Sequence, residues 1–319
     1  MTALQPLALV TGADGFVGRH VTAALKQAGW RVRRAIRSAP ETAADEDILG
    51  GLDLALSTRW SDAMKGVHAV VHTAARAHLP ARVQETEKDL YWSVNVDGTR
   101  HLARAAADAG VRHFVFLSSI AVNGNRTDGR APFAEADIAA PVTIYGKSKA
   151  AAEQCLAEIS ASSAMRVTAI RPPMIYGSGA RGNFRRLAAA VRAGIPLPFG
   201  GIKNRRAFLG IENLASFVTQ RLTEASESNF EIFLVADDMQ PSTPEFIRML
   251  GQATGRQARI VPFPVSLLRI GLSPFKLGDA LIGNLEIDPS KSRATGWRPT
   301  LSLAEGLRNA VQAAAVPPV

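Results

Sequence analysis

Cysteine occurs once in the 319 residues, at Cys155. A lone thiol closes no internal disulfide, so the core alone must hold the fold, and a reducing compartment suits it. Aromatic residues amount to only 6%, and no dense Lys/Arg block is interleaved with them. That argues against a nucleic-acid surface, even though 37 basic residues outnumber 28 acidic ones for a net charge of +9. The excess reads as an arginine-rich surface with a few arginines serving phosphorylated small molecules. No apolar run reaches the ~18 residues a bilayer crossing needs, so no integral membrane contact is expected. The opening stretch 1–10 lacks the basic start and small-residue cleavage site of a signal peptide. The expected location is cytoplasmic. His68, His72, His78, His101 and His113 show no ligand spacing with cysteine or carboxylate, so no metal site is expected.

What is present is an ordinary globular composition, 47% hydrophobic against 20% charged. The first half alternates short apolar runs with amphipathic stretches. Leu7–Thr11 reads as a buried strand. Phe16, Val17, Val21, Ala24, Leu25 and Ala28 recur at helical spacing and Gly29 ends the helix. Further strands are expected at Arg31–Arg37, Ala69–Thr73, Arg112–Ser118 and Arg166–Arg171, with helices over Val94–Ala109 and Tyr145–Ser160. Strands separated by helices of this length pair in parallel through right-handed crossovers, which gives an α/β, doubly wound Rossmann sheet. Beyond residue 172 prolines and glycines cluster and the pattern loosens. Residues 1–172 are therefore expected to form the dinucleotide-binding domain, and 173–319 mainly a smaller substrate-binding lobe. A segment near 205–237 is expected to return to the sheet, its strand near Glu231–Val235.

Thr11-Gly-Ala-Asp-Gly-Phe-Val-Gly18 follows the first strand and opens the first helix. Gly12 allows the sharp turn, Gly15 lets backbone approach a pyrophosphate, and Gly18 lets helix pack on strand. The helix N-terminus offers orphan N–H groups and partial positive charge to phosphates. Gly12, Gly15, Phe16, Val17 and Gly18 are thus candidate cofactor contacts. Where an NAD site carries an acid for the ribose 2′-hydroxyl, this chain has Arg37 and Ser38. Arginine pairs with a 2′-phosphate that an acid would repel, so NADP is favoured over NAD.

Tyr145-Gly-Lys-Ser-Lys149 sets a phenol and an ammonium at i and i+4 on one helix face. A neighbouring cation, together with the positive charge of an oxidised nicotinamide, pulls down a phenol pKa that is ordinarily about 10. Ser119, 26 positions earlier (145 minus 119), follows a strand at the edge where such sheets bind ligands. Ser119, Tyr145 and Lys149 are the candidate catalytic residues.

With these motifs the chain resembles the extended short-chain dehydrogenase/reductases, the NAD-dependent epimerase/dehydratase family, nearly end to end. The matching stretches are TGADGFVG at 11–18, Asp53-Leu54, HTAAR at 72–76, NVDGT at 95–99, FLSSIAVNG at 116–124, YGKSK at 145–149 and RPPMIYG at 171–177. The resemblance implies an adenine contact at Asp53 and Leu54, and a cofactor wall at Thr73, Ala74, Ala75 and Arg76. It also implies cofactor roles for Tyr145 and Lys149 and a nicotinamide-side contact at Pro172. The second half is similar to UDP-hexose 4-epimerases and 4-keto-sugar reductases. That likeness implies substrate contacts at Ser119, at Asn183 (pyrophosphate), at Pro198 and Phe199 (uracil), and at Arg206 or its neighbour Arg205 (phosphate). A homodimer is compatible with it. Asn123 and Met174 stand where the epimerases carry tyrosine and asparagine, and Ile120-Ala121 where the dehydratases carry an Asp-Glu pair. The expected activity is therefore reduction of a UDP-linked 4-keto-hexose at carbon 4. A UDP-hexose 4-epimerase with retained NAD is the alternative, and a non-catalytic dinucleotide sensor the alternative of another class.

Overall fold

The apolar run Leu7–Thr11 is buried at every position and forms β1. It sits inside a seven-stranded sheet of the computed structural model, which describes residues 5–38, 48–77, 81–180, 182–224, 226, 228–272 and 281–312. The other strands of this sheet are β2 (Arg31–Ala35), β3 (Ile48–Leu49), β4 (Ala69–His72), β5 (His113–Leu117), β6 (Arg166–Arg171) and β9 (Phe230–Leu234). Their spatial order is β3-β2-β1-β4-β5-β6-β9. β1 to β6 pair in parallel, with Thr11 opposite both Ala35 and His72, and Phe116 opposite His72 and Ala169. Strands that pair in parallel end at the same edge, so the chain leaves β1, β4, β5 and β6 side by side. The order reverses between β1 and β4, which is where an open α/β sheet forms its ligand crevice.

Helix α1 (Phe16–Gln27) buries Gly18, Val21, Thr22 and Leu25, the stripe its spacing predicts. Two short helices, α2 (Ala81–Thr86) and α3 (Lys88–Trp92), run into a π-helical turn at Ser93–Asp97 and then α4 (Gly98–Asp108). The sequence period suggested one regular helix from 94. The wider π turn instead brings buried Asn95 to a hub, where its amide accepts the Arg76 N–H and donates to the Arg76 carbonyl and the Ser148 hydroxyl oxygen. Helix α5 (Ile144–Ala161) starts at an N-cap, Thr143 accepting from the Gly146 N–H at 3.0 Å. The core on this sheet includes Leu9, Val70, Leu102, Phe114, Phe116 and Leu156.

The chain divides into two units: 1–122 with 139–171 and 215–233, and 123–138 with 172–214 and 234–319. The second unit contains a small parallel pair, β7 (Met174–Tyr176) with β8 (Phe208–Gly210). Its helices are α6 (Asn183–Arg192), α8 (Thr243–Ala253), α9 (Val265–Leu272), α10 (Ser290–Ala294) and α11 (Leu303–Gln312). Helix α7 (Ile211–Thr223) begins in this unit and ends in the first. Buried Asp237 ties the second unit together, accepting from the Tyr176 hydroxyl, the Gly210 N–H and the Asn213 amide. Burial pushes its pKa up, and those three donors hold it back. Among the described residues no helix is long and apolar enough to cross a membrane, and no group of three or more His, Cys, Asp or Glu side chains gathers for a metal. His78 lies outside the described residues.

His113 on β5 is 4% exposed; one ring nitrogen meets the Thr168 hydroxyl at 2.9 Å and the other has no partner. Burial, helped by Arg166 and Arg221, pushes its pKa down to about 3. Below pH ~6.5 the unfolded chain takes up a proton that the native ring refuses, so this site costs stability as pH falls, at about 1.4 kcal/mol per unit. His113→Gln keeps the bond to Thr168 and removes the slope. Urea unfolding of variant and parent should diverge by about 2 kcal/mol between pH 7 and pH 5. Parallel pH dependences would show that the ring is charged in the native state.

Candidate active site

The carboxyl edge of the sheet gathers the glycine loop after β1, the expected cofactor wall after β4 and Ser119 after β5, all within the first unit. At the end of β1 the chain turns through Gly12 at φ +65°. A Cβ there would stand 2.9 Å from the Ala74 Cα, so loop and wall touch at backbone distance. Thr73 donates its hydroxyl to the Thr11 carbonyl at 2.7 Å, locking the same two turns together. Gly15 caps α1 with no side chain on the cap, and the first turn carries no acid. The orphan N–H groups and positive dipole end are thus presented uncompensated to an anion. Phe16 and Val17 follow in that turn, partly accessible. This donor set fits a pyrophosphate.

Further along the edge, Asp53 accepts from the Ala55 N–H at 2.9 Å and the Thr58 hydroxyl at 2.7 Å. These bonds hold its carboxyl below the ordinary range, and Arg37 adds a smaller pull. Arg37 therefore lies within electrostatic reach of the Asp53–Leu54 turn, and both Arg37 and Ser38 are exposed just past β2. Arg33 is spent elsewhere, donating to the Ala63 and Lys65 carbonyls at 2.9 and 2.8 Å. Gly98, which the sequence reading passed over, packs so closely that a Cβ would stand 2.3 Å from the Leu54 carbonyl. The glycine in NVDGT is what lets the Asp53–Leu54 turn rest on α4. In this segment Ala74 is partly buried and Ala75 exposed. Arg76 pairs with Glu87 and lies 5.8 Å above the Tyr91 ring.

Ser119 follows β5, and Tyr145 and Lys149 stand one turn apart on α5. Ser119 acts on the Tyr145 phenol, drawing its pKa down, and its Oγ accepts the Ala121 N–H at 3.2 Å. Tyr145 is half-buried and its backbone N–H meets Gln84. One turn on, Lys149 is 2% exposed. Its Nζ donates to the Leu117 carbonyl at 2.8 Å and sits 4.4 Å from the Phe116 ring centre. Burial pushes Lys149 down to about 7, against an upward pull from Glu153. Burial pushes Tyr145 up to about 12; Ser119 works the other way, and Tyr91 reinforces the rise. The sequence expectation is that Lys149 lowers the phenol; here the ammonium donates to Leu117, and burial is the largest influence on Tyr145. His72 is a satisfied core histidine, bonded to Thr11 and Thr99 hydroxyls at 2.7 and 2.9 Å, its pKa pushed by burial to about 3.

Pro172 and the expected substrate residues other than Ser119 belong to the second unit. Asn183 opens α6 and is exposed. Leu197, beside Pro198 and Phe199, bridges to Ile260, and Phe199 packs on Ile202, Leu268 and Ile282. Arg206 donates to the Gly283 carbonyl at 2.7 Å, whereas Arg205 pairs with Glu286 at 3.0 Å. Asn123 donates to the Ala134 carbonyl at 3.0 Å.

Residues 8–236 match the model of the "NAD dependent epimerase/dehydratase family". A curated relative, the UDP-glucose 4-epimerase of Vibrio cholerae, is 36% identical over 312 residues, covering 96% of this chain and 94% of its own. The fold is similar to the Thermus thermophilus UDP-glucose 4-epimerase complex with NAD, at TM-score 0.77 and 24% identity over 97% of this chain and 100% of that one. It is also similar to RMD from Pseudomonas aeruginosa complexed with NADPH, at TM-score 0.72 and 23% identity over 97% and 99%.

Proposed function

The chain belongs to the NAD-dependent epimerase/dehydratase family, and on that premise we propose that this enzyme exchanges hydride with carbon 4 of a UDP-linked hexose, running as a reductase of the 4-keto sugar. The observation that carries the reading is Tyr145, on whose phenol Ser119 acts, with Lys149 buried one turn along the same helix. A bound nicotinamide dinucleotide supplies the hydride chemistry. The first-turn amides of α1 would hold its pyrophosphate, with Asp53 and Leu54 at the adenine end and Thr73 to Arg76 and Pro172 as wall. Tyr145 Oη donates a proton to the oxygen on carbon 4, and Ser119 Oγ hydrogen-bonds that same oxygen. A phenol held near 12 is fully protonated at neutral pH, which suits a donor in the reductive direction. Lys149 supplies positive charge as the phenolate forms. Asn183, Pro198, Phe199 and Arg206 are proposed to hold the nucleotide, whose binding energy orients the sugar.

The second reading is a 4-epimerase, favoured by the name and 36% identity of the Vibrio relative. One assay separates them. A reductase oxidises NADPH in step with UDP-4-keto-6-deoxyhexose consumed. An epimerase interconverts UDP-glucose and UDP-galactose with no net absorbance change and no added cofactor. Turnover of neither pair would refute the proposal.

NADP is the proposed cofactor because Arg37 and Ser38, not an acid, follow β2. Arg37→Asp should move the NADP:NAD preference toward NAD by about tenfold or more, equivalent to about 1.4 kcal/mol. Dissociation constants for the two dinucleotides check this, and an unchanged ratio would mean that Arg37 makes no 2′-phosphate contact.

A further inference from the structure

Glu153 and Arg171 are buried, charged and unused by the roles above, at 5% and 4% exposed. The Arg171 guanidinium grips the carboxylate twice, Nε reaching Oε1 and Oε2 at 3.0 and 3.2 Å and Nη2 reaching Oε2 at 2.6 Å. Ser118 donates its hydroxyl to the same carboxylate. Three segments therefore meet at one group: α5, the end of β5 and the end of β6. Each adjoins a residue of the proposed chemistry. Lys149 lies one turn before Glu153, Ser119 follows Ser118, and Pro172 follows Arg171. Tyr145, Lys149 and Glu153 stand at i, i+4 and i+8, on one helix face.

A buried ion pair is a poor device for stability alone, because desolvation offsets most of the attraction and an apolar pair would hold these segments equally well. Its position beside a buried ammonium gives it another use. Of the charged and titratable groups, Glu153 one turn along the same helix pulls the Lys149 pKa up, and His72 on β4 feels the Lys149 charge. β5 adds the Leu117 carbonyl and the Phe116 ring. His72 is neutral at working pH. Glu153 is the anion among them, and Arg171 is the cation that tempers it.

We propose that the Glu153–Arg171 pair positions and tunes the catalytic set, its carboxylate keeping the buried Lys149 charged while its bonds to Ser118 and Arg171 fix the ends of β5 and β6 against α5. This inference rests on the reading of Lys149 as a catalytic residue. Burial alone drives Lys149 downward and Glu153 opposes it, in keeping with that role. The two partners must then act on Lys149 with opposite signs. Losing the anion strands a cation near the ammonium and lowers its pKa; losing the cation frees the carboxylate and raises it. A purely structural pair would give no such antisymmetry.

The test is a ¹³Cε-lysine NMR titration of the full chain, with Lys149 assigned by Lys149→Met. In Glu153→Gln the Lys149 midpoint should fall by about one pH unit or more, and in Arg171→Met it should rise. Activity is lost as pH rises through the Lys149 pKa, so the alkaline limb of the kcat profile should move with each midpoint. Shifts of the same sign, or none, would overturn the proposal. Should a single variant fail to fold, Glu153→Met/Arg171→Met strands neither charge. There too Lys149 should titrate below the parent, and an unchanged midpoint would overturn the proposal. The NMR readout needs no substrate. Opposite shifts without turnover of any UDP-sugar would sink the functional reading alone, and turnover with an unmoved Lys149 would sink this inference alone.

Discussion

Tyr145→Phe should cut turnover at least ~10²-fold while leaving the dinucleotide Kd near that of the parent. The substitution keeps the ring, its half-buried seat and the Tyr145 N–H bond to Gln84. It removes the hydroxyl on which Ser119 acts. No other phenol is arranged to take over. Tyr176 is committed to Asp237 in the second unit. Tyr91 is fully buried on α3. The loss should fall on kcat and on kcat/KM alike, because a proton delivered as the alkoxide forms is an interaction made only in the transition state. Single-turnover hydride transfer and nucleotide binding, measured on the same preparation, check both halves. Unimpaired transfer would remove Tyr145 from the chemistry. Ser119→Ala should cost less, since it weakens a bond to the same oxygen without removing the donor.

Much of the first unit was legible because its code is local. Leu7–Thr11 and Arg166–Arg171 could be bounded to the residue, since a strand buried on both faces is a short apolar run between breakers. The strand read near Glu231–Val235 is β9, at the edge of the sheet next to β6. The glycine triplet and the Tyr145–Lys149 spacing were visible for the same reason, both being fixed offsets within one element. What escaped the reading depends on partners distant in sequence. Glu153 could have been noticed at i+8 from Tyr145, but its meaning comes from Arg171, 18 positions away, and Ser118, 35 away. Gly98 looks like a poor helix residue until Leu54 is found against it. The π turn at Ser93–Asp97 answers to what Asn95 must reach, which no period records. The same holds for electrostatics. An i, i+4 pair suggested a lysine acting on a phenol, whereas burial and the Leu117 carbonyl decide where that lysine's charge goes. The small β7–β8 pair was invisible, because two three-residue strands among prolines and glycines carry almost no periodic signal.

Gly18→Ala should weaken dinucleotide binding by ~10-fold or more and lower stability by about 1–3 kcal/mol, although alanine is the better helix former. Its added Cβ would stand 2.1 Å from the Gly12 carbonyl oxygen and 2.8 Å from the Ala13 Cα. Both are backbone atoms, so no side chain can rotate out of the way. Either α1 lifts off the loop or the loop opens. In either case the first-turn amides leave the line along which an anion would be held. The requirement here is space rather than backbone freedom, which Gly29 makes plain. Gly29 adopts φ +85°, yet a Cβ there meets nothing within 4 Å. Gly29→Ala should therefore cost roughly 1 kcal/mol in stability through strain at the helix end and leave the dinucleotide Kd unchanged. Equilibrium unfolding and nucleotide titration of both variants give four numbers, of which three should depart from the parent and one, the Kd of Gly29→Ala, should not. If Gly18→Ala binds as the parent does, the amides at the start of α1 are not what holds the pyrophosphate. The dinucleotide site would then have to be sought elsewhere on the sheet edge.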